Sequence, residues 1–262
     1  MDFGNKTNLT GITLGADYDL SDNFKVGGLL NIGQGNSTGK DAATGMSNDF
    51  KYWGLGAYLG LRHQNIRALA DISYTVVDND VEANTTVGTS AVDKLSSSFD
   101  TTNFSLGLTG MLDLELAPNV MLSPHVGLRY QSINTDDYTV KDSAGNSVGS
   151  YQSDRLNLWS LPIGTTIAAQ YQLEDWQIRP SFDLTLTTNF GDTDSSGRFQ
   201  LHDITNTSAI NVSSETFDNF NYGATLMVEA IKDNVSLGIG LNYTGSSHRD
   251  DIAIQAQGKV AF

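Results

Sequence analysis

The chain has 262 residues, a formal net charge of −15 and no cysteine. Its 15 lysines and arginines never gather into a basic stripe, so the electrostatic footprint of phosphate-backbone binding is missing and nucleic acid is excluded as a partner. Lack of cysteine rules out disulfide frameworks, thiolate zinc sites and cysteine nucleophiles together.

No run of 18 apolar residues exists, which excludes a transmembrane helix. A mean hydropathy of −0.24 does not exclude membrane strands, because their two faces alternate and average out. Met1-Asp2-Phe3-Gly4 has neither the basic start nor the apolar stretch of a signal peptide, so an exported protein would be met here as a processed or cut piece. The 26 glycines, only four prolines and aromatics spread along the whole length favour strands joined by turns.

The first strand is legible in TGITLGADYDL: Ile12, Leu14, Ala16, Tyr18 and Leu20 share one face, with Thr13, Gly15, Asp17 and Asp19 opposite. Phe24, Val26, Gly28, Leu30 and Ile32 repeat the pattern, as do Trp53, Leu55, Ala57, Leu59 and Leu61 opposite Gly54, Gly56, Tyr58, Gly60 and Arg62. Further strands are predicted over Ile66–Val76, Phe104–Leu114, Leu122–Tyr130, Trp159–Tyr171, Trp176–Phe190, Tyr222–Ala230, Val235–Tyr243 and Ile252–Phe262. That makes about eleven, each near the roughly 9 to 11 residues a tilted strand needs to cross a bilayer.

The connections alternate too. LSDN, HQN, LAPN, QLED and IKDN are tight turns, whereas 33–49, 78–102, 132–154 and 189–219 are polar stretches predicted as long loops. Short turns on one rim and long loops on the other match an outer-membrane barrel; a β-sandwich has no reason to sort its connections by length.

Asp17, Asp19, Lys25, Arg62, Arg67, Asp71, Asp113, His125, Arg129, Arg179, Asp183, Glu229 and Lys259 all fall on the polar faces. That set suits a water-filled lumen, and a closed wall of so many strands is too wide for Leu, Ile and Ala to fill from inside. The apolar faces are therefore assigned to lipid, where only a closed barrel pairs every backbone group of a strand. Tyr18, Phe24, Phe50, Trp53, Tyr74, Phe104, Tyr130, Trp159, Tyr171, Trp176, Phe190, Tyr222, Tyr243 and Phe262 lie near strand ends and are expected in two interfacial girdles.

At this point GITLGADYDLSDNFKVGG resembles the G-x-x-LGADY-x-L-x-DN-x-x-x-G hairpin of bacterial autotransporter β-domains, the translocators of type V secretion. LSPHVGLRYQSINTDDYTV is similar to the family's P-x-x-GLRY strand, and WQIRPSFDLTLTTNFGD and the SSH turn before the last strand fit as well. The resemblance implies a twelve-stranded barrel whose last strand, ending in an aromatic, is read by the barrel assembly machinery. Val260 and Phe262 fit that signal, although the family's glycine five places before the end is Gln257 here, with Gly258 one place late.

With Phe262 periplasmic, about eleven strands place Met1 outside the cell. The family's first strand and the lumenal helix leading into a passenger are then missing from this stretch, or a strand is hidden in 78–102 or 189–219. The resemblance also gives Asp17, Arg62, Arg129, Arg179, Asp183 and Glu229 as lumen-lining candidates that contact the passenger or its helix; their plainer role is to brace the wall through cross-strand pairs.

Other chemistry matches less well. GQGNSTGKD has the wrong spacing for a phosphate loop, with Gln34 where a glycine belongs and Asp41 after Lys40. In DTDSSGRFQLHD, the residues Asp192, Asp194, Ser196, Gly197 and Asp203 have the spacing of a calcium loop, but flanking helices are not predicted and the last ligand is Asp instead of Glu. His63 falls in a turn and His125 in the lumen. His202 beside Asp203 and His248 near Asp250 sit on the long-loop rim, where an Asp–His pair could activate water as in barrel proteases resembling the omptins; solvated loop residues are the plainer account.

The expectation is therefore one domain over 1–262: an all-β, transmembrane, antiparallel up-and-down β-barrel of the bacterial outer membrane, monomeric, without cofactor or catalysis. Its expected partners are outer-membrane lipid, the barrel assembly machinery and its own passenger polypeptide. A porin or loop-displaying adhesin is the first alternative, and an omptin-like barrel protease the second.

Overall fold

The structure is a computed structural model, described over residues 3–41, 43–87, 90–202 and 209–261. Eleven strands form the wall: β1 Phe3–Ser21, β2 Phe24–Asp41, β3 Met46–His63, β4 Ile66–Val87, β5 Ser90–Leu112, β6 Val120–Thr135, β7 Leu156–Ala169, β8 Trp176–Gly191, β9 Phe220–Lys232, β10 Val235–Ser246 and β11 Asp250–Val260. Each pairs antiparallel with the next. Short pieces Leu114–Ala117 and Tyr171–Leu173 carry β5 and β7 towards their turns.

The predicted tight turns all hold, and four of them place a non-glycine residue in the left-handed region: Gln64 at φ 54°, Asn119 at 66°, Glu174 at 51° and Asp233 at 51°. Such turns match the right-handed twist of the strands they join and so fix the hairpin register. Because the wall has eleven up-and-down strands, β1 and β11 run in the same direction, and among the described residues no backbone pairing joins them. The wall is a curled sheet with a seam.

The packing is inverted relative to a soluble domain. Leu156 and Leu158 are the buried apolar side chains among the described residues, while Ile12, Leu14, Leu55, Leu108, Ile163, Leu186 and Ile239 are each more than half exposed. A compact 28.2 kDa monomer exposes about 11,000 Å²; this one exposes 17005 Å². So much exposed apolar surface requires a non-aqueous solvent around the wall. The outward stretch Ile12 to Leu20 spans about 27 Å of strand, or about 21 Å vertically at the usual tilt, close to the height of a bilayer's apolar band.

The predicted long loops need correction. Stretches 33–49 and 78–102 are mostly continuations of β2, β3, β4 and β5, and the later two contain the strands Tyr138–Lys141, Ser147–Ser153, Asp194–Leu201 and Ile210–Glu215. These pair onward from β5 as one ribbon: Ser96 with Lys141, Val140 with Gly149, Gly149 with Leu201, and Arg198 with Asn211. The polar stretches still alternate in and out. They lose the apolar signal because the outer face has passed from lipid to water, while Thr, Ser and Asn retain the ladder.

Candidate functional site

The lumen is built by the inward residue of each alternating pair, and its charges meet in fixed sets. Beside the seam, Asp17 takes Lys25 Nζ on Oδ1 at 2.7 Å and Lys259 Nζ on Oδ2 at 2.8 Å, and accepts the Tyr58 hydroxyl at 3.1 Å. Lys25 also reaches Asp19 at 2.9 Å. Lys259 belongs to β11 and Asp17 to β1, so a side-chain bridge crosses the gap that the backbone leaves open.

Further round, Arg67 clamps Asp113 with two hydrogen bonds of 2.8 and 2.7 Å, and Ser123 donates to the same carboxylate at 2.7 Å. Arg129 donates to Asp71 at 2.9 Å and to Ser105 at 2.7 Å. Thr166 and Thr185 donate to Asp183 at 2.6 and 2.7 Å, while His125 sits 3.1 Å from Thr185 and 3.7 Å from Asp183. Arg179 and Glu229 are direct cross-strand partners, 3.7 Å apart.

Of the six lumen candidates, Asp17, Arg129, Arg179, Asp183 and Glu229 thus enter cross-strand pairs. Arg62 is exposed beside the short turn after β1, its backbone N–H held by Asn23. The anions Asp17, Asp19, Asp71, Asp113, Asp183 and Glu229 face the cations Lys25, Arg62, Arg67, Arg129, Arg179 and Lys259. The excess negative charge lies elsewhere, and the lumen presents no single-sign field to repel a polypeptide of either charge.

Glycines make room for the rings inside. Tyr58 lies across Gly27, Tyr52 across Gly33 and Phe50 across Gly35, each a direct β2–β3 pair, and a Cβ on any of the three would collide with its ring. Phe50 therefore faces the lumen and leaves the predicted girdle, because alternation along β3 puts it on the side of Tyr52 and Tyr58. The rest of the upper girdle takes shape through the contacts Trp53–Tyr74, Tyr130–Trp159, Trp159–Phe190 and Tyr222–Tyr243. Trp176, capped by Lys232, lies at the opposite rim.

The remaining candidates lie on the long-loop rim. Asp192 accepts the Asn157 N–H at 3.0 Å, and Asp194 opens the extended strand Asp194–Leu201, so Asp194, Ser196 and Gly197 do not wrap a common centre as in a calcium loop. Asp203, Phe262 and Met1 lie outside the described residues. His202 contacts Ser147 at 2.6 Å and Ser150 at 3.4 Å.

His248 is two residues before Asp250, whose carboxylate accepts the Tyr243 hydroxyl. It pairs with Asp218, 30 residues away, with Nδ1 2.7 Å from Oδ1 and the backbone N–H 3.1 Å from Oδ2. Hydrogen bonds from Ser246 and His248 hold the Asp218 carboxyl below the usual carboxylate range. Glu215 joins them, the three offering ligand atoms within 4.8 Å of one another. Sequence spacing could not show this contact, because it depends on how two rim connections meet.

A sequence model of the autotransporter β-domain family matches residues 2–247. No curated protein sequence gives a significant match. Among solved structures, the chain is similar to the translocator domain of the autotransporter NalP from Neisseria meningitidis, at TM-score 0.71 and 16% identity over 98% of this chain and 82% of that one. It is also similar to the transport unit of AIDA-I from Escherichia coli, at TM-score 0.68 and 15% identity over 99% and 84%, and to the β-domain of the Bordetella autotransporter BrkA, at 0.67 and 14% over 99% and 92%. With the family match running through nearly the whole chain and an apolar wall enclosing a polar lumen, the chain belongs to the autotransporter β-domain family, as an outer-membrane translocator barrel serving a passenger polypeptide.

Proposed function

We propose that the barrel acts as a hydrated conduit and lipid anchor, and catalyses no reaction. The observation that carries this is the two-sided wall: apolar side chains outward, and inward a lumen whose charges are matched in pairs. A lumen so balanced lets a polypeptide pass without a strong site at which to stall. Asp17, Arg129, Arg179, Asp183 and Glu229 brace the wall, and with Arg62 line the path.

Outer-membrane lipid is the solvent of the outer face, and the barrel assembly machinery reads the last strand, with Val260 and Phe262 as its signal. The seam supports one further strand between β1 and β11: only a strand running opposite to both pairs antiparallel with each edge.

A reporter passenger joined to residue 1 through a lumen-spanning helix and one strand tests this in a Gram-negative host. Surface display of the reporter is expected. Solute flux without display would make the barrel a porin, and peptide cleavage lost on substituting His248 or His202 would make it a protease.

A further inference from the structure

We infer that Glu215, Asp218 and His248 form a binding site for a first-row divalent transition metal on the long-loop rim. The three come from two connections: the end of the strand Ile210–Glu215 with the segment leading into β9, and the turn between β10 and β11. Their ligand atoms lie within 4.8 Å of one another, a spread that a single ion draws together with small side-chain movement.

Charge makes the case beyond proximity. Asp218 has only 9% of its side chain exposed, and the exposed Glu215 brings a second carboxylate within 4.8 Å of it, beside a single imidazole. Two carboxylates beside one imidazole leave excess negative charge in a partly desolvated spot, which a divalent cation neutralises. The His248 side chain is 71% exposed, so the fourth position opens to water. Nδ1, 2.7 Å from Asp218 Oδ1 and so the protonated nitrogen in the ion-free pair, gives up its proton to solvent or to Nε2 as the ion takes its lone pair.

One imidazole with two carboxylates suits zinc or a similar ion; calcium and magnesium prefer oxygen alone. A bound ion would tie the 210–219 connection to the turn after β10, beside the seam, and brace the rim where the wall is least paired.

Titrating zinc chloride into the chelator-stripped full chain, folded in detergent micelles, tests the site by calorimetry. One-to-one binding is expected, weakened at least tenfold by His248→Ala and several-fold by Glu215→Gln, with His202→Ala unchanged. Glu215 is exposed, so its variant reports on the site even if His248→Ala disturbs the turn. Slower amide exchange across 246–249 on adding zinc, lost in Glu215→Gln, is the second expected result. The site is refuted by no saturable zinc heat, by binding indifferent to both variants, or by calcium binding as tightly as zinc.

Discussion

The lower and upper parts of the same hairpins differ on one face only. In the lower part Ile12, Ile32, Trp53 and Val76 form an apolar outward row across four strands; one step up, the corresponding row is Thr10, Gln34, Lys51 and Asp78. The backbone ladder crosses this boundary unbroken, and the inward face keeps the same mixture of glycines, rings and polar side chains on both sides of it. Strand formation in this protein therefore follows cross-strand pairing, while outer-face hydropathy records only which solvent the strand meets.

That difference is sharpest under a charge placed on the outer face. Leu55→Arg, inside the apolar band, is expected to cost about 2–4 kcal/mol in bilayer unfolding titrations, whereas Asn36→Arg above the boundary should change stability by less than about 0.5 kcal/mol. Equal costs would erase the boundary.

The inward face is limited by volume. Gly27→Ala would drive a methyl into the Tyr58 ring, at a cost of about 1–3 kcal/mol. Tyr58→Ser should restore most of it in the double variant, since Tyr58 side-chain atoms are the nearest neighbours of that methyl. Failure of the rescue would remove the ring-over-glycine account.

Ion pairs should follow the same division more weakly. Arg129→Ala strips the partly shielded Asp71 of its guanidinium and should cost about 1 kcal/mol, while Lys94→Ala, which removes the half-exposed Lys94–Glu82 pair above the membrane, should stay within about 0.5 kcal/mol in the same titration.

The smallest effect is on the rim. The Asp218 carboxyl titrates below its unfolded value, so the stability it supplies is complete above the ordinary carboxylate pKa and drains away as pH falls through the depressed one. Exchange of the His248 amide should accelerate over that acid range and not between pH 5 and 6.

How much of this was legible in the sequence follows the same boundary. Where lipid meets the wall, as from Ile12 to Leu20 or Trp53 to Leu61, alternation announces strand, face and register parity together, and turns such as IKDN are equally plain. Above it, polar alternation resembles a loop, and the ribbon from Tyr138 to Glu215 is found only through its pairings. Alternation put Asp17, Arg129 and Glu229 on the inner face, but partners such as Lys259 for Asp17, 242 residues apart, depend on the curl of the whole sheet. Phe50 looked like girdle because ring type carries no information about face; its position two residues before Tyr52 does.

Because the chain has no cysteine, each introduced one is a unique attachment point. Nitroxide labels placed singly from residue 53 to 60 in the bilayer-embedded barrel should alternate strictly, with 53, 55, 57 and 59 relaxed by oxygen from the lipid and 54, 56, 58 and 60 by a water-soluble nickel chelate. Reversed alternation, or all eight positions inaccessible to both, would contradict the wall as described.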